Sequence, residues 1–383
     1  MVGRLWSGIP HYFFRVDTKR ICCYNQCSKR ISAFGAGREP PLLIAVGAFN
    51  LAYDKPFKTY QQQIIHLVDD YGLIISDTDF AEHALKTMSY YDLINGYQDV
   101  MMMNGRYLPD ISIEFLYTFY LFDKGFQNII FARIMFIENY FKSLLSYCIA
   151  ENFGVHQSDY LDKKNYNNAS SKIAFADVKR DIEKVYTQTY PPIPTRFYRQ
   201  NHNHIPPWIL FKNISFGNSI NLFRVLKSPQ KHAVSNELIP DTTILQSEKI
   251  EFIIAGLNLI RKCRNLIAHN LKFVAFQGNS KDSLKPKILT SLLPQELTAT
   301  DQMYPRLRNN DLYAVFLFIY QILNDTYLRY LFIDDISRYI APPTDGNVAL
   351  FPQYADITGI PHDLLDRCRK LYRKKPPTVL VTQ

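Results

Sequence analysis

From Pro56 onward the apolar positions recur at spacings of three and four. Tyr60, Ile64, Leu67, Val68 and Tyr71 fall on one helical face, and Gly72 is expected to end that helix. Asp79 and Glu82 have the spacing of a capping box ahead of Ala84, Leu85 and Met88, which predicts a second helix starting there. Between Ile111 and Phe153, Phe, Tyr, Leu and Ile repeat at helical spacing with Gly125 as the one weak point, predicting one long helix or two end to end. Residues 155–205 turn polar and end in PPIPTRFYRQNHNHIPPW, a turn-rich connection with room for a short helix over Ser170–Thr187. Further helices are expected over Trp208–Leu226, Thr243–His269, Asn310–Tyr339 and His362–Arg373. No alternating strand pattern and no internal repeat stands out, so the expected class is all-α.

Composition supports a folded chain: hydrophobic residues make up 47% of the 383 and charged ones 21%, which excludes disordered and low-complexity classes. The apolar runs Leu42–Tyr53 and Tyr313–Leu323 fall short of the roughly 18 residues that span a bilayer, so no membrane association is expected. The first twenty residues lack a continuous apolar core and are not expected to act as a secretory signal. Six cysteines, with Cys22, Cys23 and Cys27 bunched and Cys148, Cys263 and Cys368 scattered, do not build a disulfide framework and suit a reducing, cytoplasmic compartment.

The net charge of +9 is unevenly placed. Residues 1–53 carry seven Lys or Arg against two acids, residues 361–383 carry six against two, and the stretch between them nets zero. A basic coat for nucleic acid is therefore absent, and phosphate affinity in the body must come from a local patch. Such a patch runs from Phe252 to Lys281, with Arg261, Lys262, Arg264, Lys272 and Lys281 and no acid.

Within it lies RKCRNLIAHN, Arg261 to Asn270, at the end of an apolar helix. Its residue types can support RNA cleavage. A His with a pKa near ~6.5 can move protons to and from a 2′-hydroxyl and a leaving 5′ oxygen. Arg264 can hold two oxygens of a pentacovalent phosphate without titrating. Asn265 can donate and accept within a site and so orient its neighbours. Positions five apart on a helix point about 140° away from each other, so Arg264 and His269 of one chain do not converge by sharing a helix.

The Arg-Asn-x-x-x-His arrangement resembles the Arg-x4-6-His signature of the HEPN ribonucleases. Three blocks around it, KPFKTYQQQIIHLVDDYGLII with MSYYDLINGY, then HIPPWILFKNISFGNSINLF, then GLNLIRKCRNLIAHN, are similar in order and separation to the Abi-like family of bacterial abortive-infection proteins, the AbiD/AbiF type. The resemblance covers about Asp54 to Lys272, and the later aromatic segment with ITGIPHDLL looks similar to that family's C-terminal part. Asn270 stands where many members have a second His, and residues 1–52 match nothing in the family pattern.

The resemblance implies a HEPN-type helical bundle over residues 53–272, an N-terminal appendage at 1–52, and a helical extension with a basic tail at 273–383. It implies a metal-independent endoribonuclease toxin of antiphage defence with Arg264, His269 and Asn265 catalytic, Arg261, Lys262 and Lys272 binding RNA, and no cofactor. It further implies a homodimer that pairs two copies of the motif, RNA as substrate, and control by a structured small RNA or a cognate antitoxin. A second reading stays open: a catalytically silent HEPN module that binds RNA or protein and acts by sequestration.

Other groups carry weaker signals. His202 and His204 lack further ligands at metal spacing, the N-terminal cysteines with His11 form no recognisable zinc pattern, and Asp69, Asp70, Asp77 and Asp79 suit a capping-rich turn. The aromatic stripes around Phe115, Phe119, Phe122 and Phe316, Phe318, Tyr320 are expected in packing, while exposed Tyr residues of the 186–198 segment could stack on bases.

Overall fold

The computed structural model describes residues 55–167, 173–271, 273–300, 307–343 and 349–373. The appendage at 1–52, its cysteine cluster and the Lys272 side chain therefore lie outside the described residues, as does most of the basic tail. The architecture is all-α apart from a two-residue hairpin, Met102–Met103 paired with Arg106–Tyr107, which sequence alternation did not reveal because each strand is too short to alternate.

The axis of the fold is one helix, Ile113–Phe153, of 41 residues and about 60 Å. It passes through Gly125 without a break. A Cβ there would lie 2.0 Å from the Tyr339 hydroxyl, so the glycine serves close packing and not a bend. Ser112 caps the helix start by accepting from the Phe115 N–H. Its buried face runs Leu116, Phe119, Asp123, Phe126, Gln127, Ile130, Ile134, Ile137, Glu138, Phe141, Leu145, a stripe at three- and four-residue spacing with three polar members.

A second central helix, Gln246–Ala268, carries the RKCRNLIAHN motif. It packs against the long helix, against Phe216–Val225 and Ser228–Leu238, and against the aromatic helix Leu312–Ile322. Gly256 sits at that last crossing, where a Cβ would fall 1.9 Å from the Phe318 ring. Every residue of Leu312–Ile322 is buried, and Tyr354 from the C-terminal region packs its ring against Phe119, Phe122 and Phe126. Helices before and after the motif thus share one hydrophobic core.

Several predicted boundaries shift. The second helix is Thr78–Met88, capped by Asp77, whose Oδ1 accepts from the Asp79 and Phe80 N–H groups, so the cap stands two residues before the expected one. Trp208–Leu226 is broken into Pro207–Asn213 and Phe216–Val225, because Ser215 turns extended and its hydroxyl accepts from the Asn218 N–H. Asn310–Tyr339 likewise divides into Leu312–Ile322 and Thr326–Ile340, where Asp325 caps the second helix by accepting from the Leu328 N–H. The short helix of the polar region is Phe175–Thr187 and the last one Leu364–Arg373. Among the described residues no helix is long and apolar enough to cross a membrane.

Candidate functional site

The motif helix ends at Ala268, and His269 takes the C-cap position, its N–H donating to the Asn265 carbonyl at 3.1 Å. Asn270 follows with φ +52°. Its N–H donates to Ile267 and the Leu271 N–H reaches back to Leu266, which together make the Schellman ending. Asn is among the few residues other than glycine that tolerate this left-handed conformation, and its Nδ2 also donates to Asp92 Oδ2 at 2.8 Å. Asn270 is thus a helix terminator, tied to the segment 91–96.

Arg264 points the other way, into the fold. Its Nη1 donates to Asn265 Oδ1 at 3.1 Å, and its Nη2 lies 3.6 Å from Glu138 Oε2. Glu138, on the buried stripe of the long helix, is only 6% exposed. Its other oxygen accepts from Lys142 Nζ at 2.7 Å, and the same ammonium donates to the Ile214 carbonyl at 2.7 Å. Lys142 therefore binds the NISFGNS segment to the long helix, while Glu138 shares its charge between Lys142 and Arg264. Glu138 Oε2 and Arg264 Nε are both buried without a hydrogen-bond partner.

His269 is exposed, and among the described residues its imidazole makes no hydrogen bond or ion pair. The structure thus keeps Arg264 with Asn265 and holds His269 apart at the helix end, as the 140° separation requires. Exposed Leu271 and Tyr91 flank that end.

The other predicted basic residues have separate surroundings. Arg261 lies along Gly217, with its Nε buried and unpartnered. Lys262 Nζ is bound to the carboxylate of Asp282, which is 3% exposed. The run from Phe252 to Lys281 is free of acids in sequence, yet in space it meets Glu138 and Asp282. Part of its positive charge is therefore neutralised inside the fold.

Beneath Asn270 lies a small cavity lined in part by Tyr97, Tyr120, Asp123, Lys124 and Phe273. Asp123 is buried at its floor. It accepts from Tyr354 Oη at 2.9 Å, Gln127 Nε2 at 2.8 Å and Tyr97 Oη at 3.2 Å. Burial outweighs these donors and the nearby Lys124, and pushes the Asp123 carboxyl up to about 6. Burial also lowers Lys124 from the usual lysine range.

Glu138, Lys142 and Asp123 were not singled out from sequence. A signal existed: Asp123 and Glu138 stand in register with Phe119, Phe126, Ile134 and Phe141 on an apolar stripe, where carboxylates are rare unless paired. Among the described residues, no group of three or more His, Cys, Asp or Glu gathers as metal ligands would.

The fold and this site define a class: an all-helical protein that presents an Arg-Asn pair and a separate, exposed His at the end of a central helix. The Abi-like protein family model matches residues 83–274, half of the chain, and the protein belongs to that family. The match contains the NISFGNS and RKCRNLIAHN segments, and membership supports a role in abortive infection. No curated protein and no solved structure matches the chain.

Proposed function

We propose that the protein is a metal-independent endoribonuclease of the HEPN type, of the AbiD/AbiF kind, that cleaves RNA by attack of the substrate's own 2′-hydroxyl and so arrests growth during infection. The observation that supports this most is the Arg264 guanidinium, oriented by Asn265 and a buried carboxylate and still partly exposed, with side-chain exposure of 31%. A fixed cation with free N–H groups suits a developing phosphorane. His269, exposed at the C-cap, supplies the proton-transferring group.

Because Arg264 and His269 diverge within one chain, the composite site forms across a two-fold axis that sets the His269 of one copy near the Arg264 of the other. Exposed Leu271 and Tyr91 beside His269 supply apolar surface for that contact. RNA is the substrate, and a structured small RNA or a cognate antitoxin is the controlling partner in a cytoplasmic setting.

The test is RNA cleavage by purified protein and by its Arg264→Ala and His269→Ala variants. Each substitution is expected to remove cleavage and cellular toxicity while thermal unfolding of the exposed His269→Ala site stays within about 0.5 kcal/mol of the parent. Cleavage should persist in EDTA and leave 2′,3′-cyclic phosphate and 5′-hydroxyl ends, with DNA untouched. Full cleavage by His269→Ala would refute its catalytic role, and a parent that cleaves no RNA would favour a silent binding module; 5′-phosphate ends or strict magnesium dependence would refute the mechanism.

A further inference from the structure

Two arginines next to the site are held by the fold without a partner. Arg224, near the end of helix Phe216–Val225, and Arg261, on the motif helix, make no hydrogen bond and no ion pair among the described residues. Arg261 Nε is buried in that state, which is unfavourable for a donor left unsatisfied. The helices that carry them pack together. Arg261 lies along Gly217, its Cδ and Nη1 both 3.7 Å from where a Cβ would stand, and Arg224 follows Gly217 by seven residues, on the same face of that helix. Each charge therefore acts on the other. Burial lowers Arg224 from the ordinary arginine range, Asp282 opposes that shift, and Arg261 adds a smaller lowering. Asp282 is itself bound by Lys262, so Arg224, Arg261 and Lys262 outnumber the one carboxylate that acts on them.

The start of helix Phe216–Val225 lies beside Arg261. Ser215 Oγ accepts from the Asn218 N–H, which leaves the amides of Phe216 and Gly217 without intrahelical partners, and no acidic residue occupies the first turn. Arg261 precedes Arg264 by about one helical turn, near 5 Å along the axis.

We propose that Arg224 and Arg261 form a phosphate subsite that holds an RNA backbone phosphodiester neighbouring the one cleaved at Arg264. This rests on the ribonuclease reading for its ligand, though binding and cleavage can be separated. Guanidinium forks suit two phosphate oxygens, and a bound phosphodiester would pair with the terminal N–H groups of the two arginines, which unlike Arg261 Nε are not buried. Such a contact fixes the register of the strand against Arg264 and carries no base preference.

The experiment measures binding of a fully 2′-O-methylated single-stranded RNA oligonucleotide, which cannot be cleaved by its own 2′-oxygen, across a salt series. The full-length protein is compared with Arg224→Gln, Arg224→Lys and Arg261→Gln, with thermal unfolding measured for each. Either Gln variant is expected to weaken binding by about tenfold at low salt and to reduce the slope of log K against log salt by about 0.7, the share of one single-strand phosphate contact. Arg224→Lys should retain the parent slope.

An unchanged slope in a folded Arg224→Gln protein overturns the subsite, as does a parent that does not bind the oligonucleotide. Should Arg224→Gln fail to fold, Arg261→Gln decides by the same slope. A parent that cleaves RNA while the Gln variants keep its slope loses the subsite and retains the ribonuclease reading. A parent that binds with the expected slope change but cleaves nothing retains the subsite and loses that reading.

Discussion

Glu138 Oε2 lies 3.6 Å from Arg264 Nη2 and accepts no hydrogen bond, although it is buried. The carboxylate is anchored through its other oxygen to Lys142, so its free oxygen directs the guanidinium electrostatically without a hydrogen bond at that edge. Arg264 is thereby steadied from within the fold while part of its fork stays open to a ligand.

In the proposed ribonuclease, this arrangement makes Glu138 a positioning residue. Glu138→Gln should lower the maximal cleavage rate by about 10- to 100-fold, the cost of a misplaced catalytic group, with a smaller change in KM. Glu138→Ala should also destabilise the protein by about 3 kcal/mol, because it strands the Lys142 ammonium, 12% exposed, without its carboxylate. Steady-state kinetics and urea unfolding check the two effects; parent kinetics in Glu138→Gln would deny the role.

The proposed two-fold site predicts complementation. Arg264→Ala and His269→Ala, each inactive alone, should regain roughly a quarter to a half of parental cleavage when mixed and allowed to exchange subunits, because heterodimers then hold one intact pairing. Light scattering at varied salt should show RNA strengthening the dimer, since two basic segments facing each other repel until phosphates screen them. A monomer that cleaves at full rate would refute the composite site.

Asp123 predicts a pH dependence of stability. Its carboxyl is raised to about 6 in the fold against an ordinary value of 3.8, so the folded state holds this proton more tightly than the unfolded chain. The resulting stabilisation is fully present below about pH 4 and is lost as pH rises through 6, a contribution of about 3 kcal/mol. Urea unfolding at pH 4 to 7.5, compared with Asp123→Asn, isolates the group. The difference in stability between parent and variant should change with pH across 4 to 6 and flatten above 7.

Asn270 tests the helix ending. Asn270→Ala should cost about 1–2 kcal/mol, since alanine at φ +52° meets the left-handed penalty and the bond to Asp92 is lost. Asn270→Gly should cost less than Asn270→Ala, because glycine removes the strain and only the Asp92 bond is missing. Equal melting temperatures for the two variants would contradict the capping role.

Much of the helical plan was legible in the chain because helix formation follows a local period, and the same period located the Arg-Asn-x-x-x-His segment at a helix end. The breaks at Ser215 and Asp325 were harder to read, since apolar residues continue through both and only the capping hydroxyl and carboxylate mark them. The ion pair of Lys262 is hidden in the chain because Asp282 lies one residue beyond the acid-free run, and only folding brings that carboxylate to the lysine.

The sequence by itself determined the helical class, an apolar helical run ending at Phe153 that could be one helix or two, and the identity of the charged and ionisable groups at residues 264–269, because these depend on residue type and short-range spacing. Only the tertiary structure decided which of those groups is held and which is free. The stripe of the long helix places Glu138 opposite Arg264, the turn after Ala268 sends His269 outward, and the crossing at Gly217 sets Arg261 against the helix that carries Arg224. The physical reason is that burial and charge pairing depend on which helix faces meet, and residues 126 positions apart, such as Glu138 and Arg264, become neighbours only when the core closes between them.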